Sequence, residues 1–435
     1  MTERVPAASW CLLAAVILLP VGSLGGGAWA VVAASGAVVL SAALQWRHLL
    51  PLARVLLGLG AAGAAGLLIT GQWPALLAAL AQGAGFAALM AVLGFLRHPV
   101  RKSRLIAQAT QALLSVPPSR RYGATYAGTH LLALMFNVGI IAMISDLTAG
   151  SRARPTLVMA AMRGAATVAM WSPLGLGFAI VSGALPAFQA LPFLAVSAAF
   201  TALALAVTTV WPLLPRTLPQ AGAVPAIASG AMWQVVGLSA ILLAAAVLLH
   251  LGLDIGFTVA SIILLPLLSL GWMAVQGRLS ETPTALAGLT GLRNEGTIFL
   301  SASIIGTVLS QLVGQTAFPA LLTSGALPML PILLLTMAVI PLTAAAYIPN
   351  SVFVVMVAQL LGPKPIGFEH PLALGLALSV SWTTAISVSP ISAMCLMAGA
   401  ACGVPSRVVA HRWNAPWAAA LAGLGMLAVT ALMLC

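Results

Sequence analysis

Two stretches of the chain carry one chemical pattern. Thr167 stands five residues before Ser172-Pro173, and Thr384 stands five residues before Ser389-Pro390, 217 residues later. The sequence has no other Ser-Pro dipeptide. A proline inside a helix removes a backbone donor and clashes with the preceding turn, so carbonyls upstream of it lose their partners. Freed carbonyls can ligate a cation, and serine and threonine hydroxyls can donate or accept. A half-helix that starts beside the break presents unpaired N–H groups and a partial positive charge, which suit an oxyanion. One such break therefore offers ligands for a coupling cation and for an anionic substrate. A single Ser-Pro serves equally well as a kink whose hydroxyl bonds back to its own turn; a second copy with matched surroundings argues for a site. Pro155 and Pro371 open the apolar runs before the two copies, Pro186 and Pro405 follow them, and Phe136-Asn137 and Pro349-Asn350 stand upstream.

The remaining polar residues of the apolar runs fall around this pattern. Asn137 and Asn350 each lie in a long apolar span, where an amide needs a partner, as an ion or substrate ligand or as interhelical glue. Arg163 lies one helical turn before Thr167 on the same face, placed to clamp a carboxylate bidentately or to snorkel to the outer surface. Asp146 ends the span of Asn137 and either titrates during proton coupling or caps the helix end. Glu295 follows Arg293 at a helix start, where a carboxylate is favourable. His130, seven residues before Asn137, can relay protons or bond to a neighbouring helix. No metal or organic cofactor is expected, leaving Na+ or H+ as the coupling ion. The four cysteines, Cys11, Cys395, Cys402 and Cys435, lack metal-ligand spacing, and there is no Walker, HExxH or CxxC pattern to support ATP hydrolysis or familiar membrane-enzyme chemistry.

The elements that must hold these residues follow from composition. With 61% hydrophobic and 6% charged residues and a mean hydropathy of +1.11, no water-soluble surface can be assembled, and the bilayer must be the solvent. Runs of about 20 apolar residues without alternation point to helices rather than a barrel. The net charge of +12 is dispersed between spans, which excludes a nucleic-acid surface. Spans are expected at 8–24, 28–46, 53–70, 75–96, 122–147, 188–213, 230–251, 255–276, 294–314, 327–361 and 413–434. An amphipathic interfacial helix is expected within 98–121. The N-terminal run reads as a retained first span rather than a signal peptide. Arg4, Arg47, Arg54 and the cluster Arg97 to Arg121 then share the cytoplasmic side with the N-terminus. The segments 155–186 and 371–404, each opened by proline and interrupted by Ser-Pro, become re-entrant hairpins entering from opposite sides. Arg152 and Arg154 then lie outside, against the positive-inside bias, which keeps open a rival in which 155–186 contains a full crossing.

This pattern resembles the ion transporter superfamily, which includes dicarboxylate and citrate carriers, arsenite permeases and sodium/proton antiporters. Those proteins have two inverted repeats, each with a re-entrant hairpin bearing a Ser-Asn-Thr signature at its tip. Here Ser381-Trp382-Thr383-Thr384 occupies the corresponding place in the second half, and Arg163-Gly164-Ala165-Ala166-Thr167 in the first. Neither copy has the asparagine. The resemblance covers roughly 122–215 and 294–434 and implies Ser381, Thr383 and Thr384 as substrate or ion ligands.

The reading is an all-α polytopic membrane protein of about eleven transmembrane helices plus two re-entrant hairpins in inverted-topology repeats. Its parts are scaffold spans and linker over 1–121, a first repeat over 122–215, connecting spans over 216–293 and a second repeat over 294–435. The expected function is secondary active transport of a small anion across a bacterial-type cytoplasmic (inner) membrane. The substrate site comprises Thr167, Ser172, Pro173, Arg163, Ser381, Thr383, Thr384, Ser389 and Pro390, and the expected partners are the small anion and the lipid bilayer. Spans outside the repeats are compatible with a homodimer. A membrane enzyme or lipid- or glycan-handling protein, and a non-catalytic membrane subunit, stay open as alternatives.

Overall fold

A computed structural model of the chain describes residues 5–136, 138–214, 230–324 and 328–434, and every regular element among them is helical. The helices run in chain order from α1 Ala7–Val21 through α2 Ala28–Leu44, α3 Pro51–Ile69, α4 Trp73–Arg101, α5 Arg104–Leu114, α6 Pro118–Phe136 and α7 Gly139–Leu147. They continue with α8 Arg154–Val168, α9 Leu176–Ala184, α10 Ala190–Val210, α11 Ala231–Leu253 and α12 Phe257–Val275. Next come α13 Thr282–Ala287, α14 Arg293–Gly314, α15 Phe318–Thr323, α16 Met329–Ala345 and α17 Asn350–Leu361. The last are α18 Pro365–Glu369, α19 Pro371–Val388, α20 Ala393–Cys402 and α21 Ala415–Leu434. Among the described residues nine helical segments are long and apolar enough to cross a membrane. The chain is an all-α integral membrane protein.

The helices form two packing units. Unit 1 gathers Met1–Lys102, Leu242–Pro319 and Val355–Leu360. Its α14 packs on both α3 and α4, and small residues set the spacing. A Cβ on Gly83 would lie 3.0 Å from Leu300 Cα, and one on Gly60 would lie 3.3 Å from Ser301 Cα. Helices in lipid gain little from burying apolar surface against each other, so such close backbone approach supplies the packing. At one end of this unit Glu281 accepts from Lys102 at 2.7 Å and lies 2.8 Å from His98 Nε2.

Unit 2 gathers Ser103–Ile241, Ala320–Val354 and Leu361–Cys435, and holds both Ser-Pro dipeptides. The amphipathic helix expected within 98–121 is α5, and its apolar face, Ile106, Ala109, Leu113 and Leu114, is buried. Leu113 fills the space beside Gly128 of α6. Packing thus groups the chain differently from the division read in the sequence: residues 103–121 join unit 2, and 294–314 joins unit 1.

Both Ser-Pro dipeptides break helices. In the first, α8 ends at Val168 and Pro173 has no N–H to return to the Ala169 carbonyl. Leu174 N–H turns instead to Ser172 Oγ at 3.3 Å, and Gly175 N–H to the Ser172 carbonyl at 3.0 Å. In the second, α19 ends at Val388 and Ser389 is extended at φ −83°, ψ 116°. Ser392 Oγ then caps α20 by accepting from Cys395 N–H at 3.2 Å. Around the breaks the same element order recurs: α6, α7, α8, α9 and α10 in the first half, α16, α17, α19, α20 and α21 in the second, with only the short α18 added.

Two expected spans prove to be pairs of helices. The 122–147 span divides between α6 and α7, which end and begin at Phe136 and Gly139. The 327–361 helix divides between α16 and α17. There Tyr347 takes φ +67°, its N–H bonds to Ala344 O and that of Ile348 to Thr343 O, the paired bonds of a Schellman stop. Pro349, with no N–H to continue the ladder, follows directly.

Candidate functional site

The site is built where the two broken segments meet. In unit 2, α19 packs against both α8 and α9. A Cβ on Gly177, at the start of α9, would lie 3.4 Å from Trp382 Cδ1 and 2.5 Å from the Ala169 carbonyl oxygen. The first break therefore closes on itself and against α19 only because residue 177 lacks a side chain.

The hydroxyls of α19 divide into two sets. Ser381, Thr384 and Ser387 donate back to the carbonyls of Ala377, Val380 and Thr383 at 2.6, 2.8 and 2.7 Å, the usual way a helix absorbs such groups. Ser379 Oγ and Thr383 Oγ1 are buried and have no hydrogen-bond partner among the described residues. They lie one turn apart, within about 100° of arc of Gly375 and Trp382. Gly375 meets Val181 of α9 and Phe193 of α10, so the unpaired hydroxyls share the face turned toward the first broken segment. Leaving a polar group unpaired in a dry interior costs about 1–3 kcal/mol, which makes this face a place where a ligand group gains by binding.

At the first break, Thr167 and His130 form a closed chain of bonds. Thr167 gives its proton to the Gly164 carbonyl at 2.9 Å, and Trp171 Nε1–H donates to His130 Nε2 at 3.1 Å. The remaining contact, His130 Nδ1 to Thr167 Oγ1 at 2.8 Å, must then run from the imidazole to the hydroxyl. The Trp171 ring stacks on the imidazole with centroids 6.0 Å apart. Gly164 lets α8 press directly onto the Tyr126 carbonyl of α6.

Arg163 departs from its expected role. It is 0% exposed, but its donors are engaged within the chain rather than directed into a site. Nε donates to Asn414 Oδ1 at 2.9 Å, Nη1 to Tyr122 Oη at 2.9 Å and to the Pro212 carbonyl, and Nη2 to the Trp413 carbonyl at 2.9 Å and more distantly to that of Leu213. The Trp417 ring lies 5.5 Å from the guanidinium carbon. Pro212 and Leu213 follow the C-terminal end of α10, where carbonyls lack intrahelical donors and attract a cation, and Trp413 lies in the π-helical stretch Val408–Asn414. A bidentate clamp on a carboxylate is not available from this arrangement. Among the described residues no carboxylate pairs with Arg163, so only uncharged groups answer its guanidinium.

The other expected residues are scattered. Ser172 and Ser389 are each 1% exposed and flank Pro173 and Pro390 at the breaks. Asn350 opens α17, and its Nδ2 is buried without a partner among the described residues. Because that orphan is a donor, it suits an anion or an acceptor better than a cation. Asn137 lies outside the described residues. Asp146 sits in the last turn of α7. Glu295 belongs to unit 1, in the first turn of α14, where it acts on Arg97, and packing does not group it with the breaks. Ser379, Asn414, Tyr122 and Trp171 complete the surroundings and were not singled out in the sequence. Asn414 carried a usable signal, an amide at the head of an apolar run.

No family model matches the chain, and no curated protein matches its sequence. Among solved structures, the crystal structure of the Alcanivorax borkumensis YdaH transporter, described as having an unusual topology, is similar over 82% of this chain and 86% of its own, with a TM-score of 0.50 at 15% identity. At that identity the likeness is one of fold: the chain is an all-α membrane protein with a fold similar to that structure's.

Proposed function

We propose that the chain is a secondary active transporter that moves a small anion, of the organic carboxylate type, by alternating access driven by a proton or sodium gradient. The observation that carries this reading is the meeting of two broken helices at an α19 face where Ser379 and Thr383 are buried without a hydrogen-bond partner among the described residues. Broken helices that interrupt two halves of one membrane protein are the usual place for a transported solute, and the fold shared with a transporter supports the assignment. Ser172, Ser389, Thr167, Ser381 and Thr384 border the same breaks. Arg163, held by uncharged groups, contributes positive potential rather than contact and favours an anion. Inverted topology of the two repeats, a cytoplasmic N-terminus in a bacterial inner membrane and a homodimer belong to the same reading, as does kinship with the ion transporter superfamily. Coupling is assigned to the neighbourhood of Asn137, Asn350 and Asp146.

Reconstitution into proteoliposomes, with labelled carboxylates and inorganic oxyanions offered under an imposed sodium or pH gradient, tests this. Gradient-driven uptake that disappears in the Ser172→Ala, Ser389→Ala double variant is expected. Uptake that survives the double substitution overturns the site.

A further inference from the structure

The geometry points to Asn414 as a positioning residue that ties the first helix break to the second through a single side chain. Asn414 is 0% exposed and ends the π-helical turn Val408–Asn414 that leads into α21. Its Oδ1 accepts from Arg163 Nε at 2.9 Å, and its Nδ2 donates to the Ser387 carbonyl at 2.9 Å. Arg163 is one turn before Thr167 on the first broken segment, and Ser387 is two residues before Ser389-Pro390 on the second. The orientation of the amide is fixed by its neighbours: turned over, it would set NH2 against a guanidinium and oxygen against a carbonyl. Ser387 O is open to this bond because α19 ends at Val388, and Cys395 Sγ also donates to it at 3.4 Å. The wide π turn displaces Trp413 and Asn414 from a regular ladder, so that the Trp413 carbonyl and the Asn414 side chain both reach Arg163. Neither aspartate nor leucine can do this. Aspartate keeps an acceptor for Arg163 but has no donor for Ser387 O, and leucine fills similar space with neither.

A shift of the second break therefore carries Asn414 and, through it, Arg163, so that the two breaks move as one body. Its significance for transport rests on the function proposed above; the tie itself does not. Hydrogen–deuterium exchange on the detergent-solubilised full chain, without any substrate, reads it directly, so a failed tie and a chain that transports nothing give different results. Asn414→Asp is expected to speed amide exchange over 386–396 by about three- to tenfold, the loss of one buried hydrogen bond, and to leave 154–168 unchanged. Asn414→Ala is expected to speed exchange in both stretches, and Asn414→Leu to do the same. Wild-type exchange over 386–396 in Asn414→Asp overturns the tie, and so does its restoration in Asn414→Leu, which would mark a role in packing alone. Should Asn414→Asp not fold, Arg163→Lys is read in its place: faster exchange that reaches 386–396 supports the tie, and faster exchange confined to 154–168 overturns it.

Discussion

Trp171 Nε1 donates to His130 Nε2 at 3.1 Å, and this bond holds His130 as the neutral tautomer with its proton on Nδ1. A histidine so held is a structural pin between α6 and the first break, joined to Thr167 on its other side. His130→Ala leaves the Trp171 indole N–H without an acceptor in a dry interior, so about 1–3 kcal/mol of stability should be lost. Thermal unfolding in detergent checks this. Nitrogen NMR of labelled histidine should find the Nδ1–H form at neutral pH, and a charged ring there would contradict the bond pattern.

Thr383→Val should behave in the opposite way to most core substitutions. It keeps the shape and removes a hydroxyl that has no partner among the described residues, so melting should stay level or rise by an amount corresponding to about 1–3 kcal/mol. Uptake should fall at least severalfold through a raised KM. The same split is expected of Ser379→Ala. Melting that drops in both variants while uptake holds would place these hydroxyls in structure rather than at the ligand.

Gly177→Ala places a methyl 2.5 Å from the Ala169 carbonyl oxygen. That oxygen belongs to backbone and cannot swing aside, so the first break must open. Overpacking of this kind costs about 1–3 kcal/mol. Lower melting together with lost uptake is the expected result, and Gly183→Ala, where nothing lies within 4 Å, serves as the control.

Sidedness can be measured with single cysteines in a cysteine-free background. Ser151→Cys, between α7 and α8, and Gln189→Cys, between α9 and α10, are at exposed positions and should react in intact cells with a membrane-impermeant maleimide, and Lys102→Cys, exposed between α4 and α5, should react only after the membrane is opened. Labelling of Ser151→Cys but not of Gln189→Cys in intact cells would favour a full crossing within 155–186 and remove the inverted repeat.

How far the sequence alone could reach depended on whether a residue acts locally. Pro173 and Pro390 break their helices through a missing N–H, a property of the residue itself, and both breaks fall where the Ser-Pro dipeptides stand. The stop after α16 was hidden because Tyr347 adopts a left-handed conformation that its residue type does not announce. Which α19 hydroxyls stay free could not be read either: Ser381 and Thr383 are alike in type, and their difference lies in rotamers chosen within the packed unit. Arg163 was legible as a charge within an apolar run, but its acceptors are separated from it by as many as 251 residues.

That separation bears on biogenesis. Arg163 can find Tyr122, Pro212 and Leu213 as soon as α10 has been synthesised, whereas Asn414 and Trp413 emerge from the ribosome only as the last helix begins. Throughout the intervening synthesis the guanidinium sits in the membrane with part of its donor set unanswered. The nascent protein must therefore either keep that segment beside the insertion machinery or let lipid headgroups and water serve until α21 arrives, which makes the closing of this shell a late checkpoint in assembly.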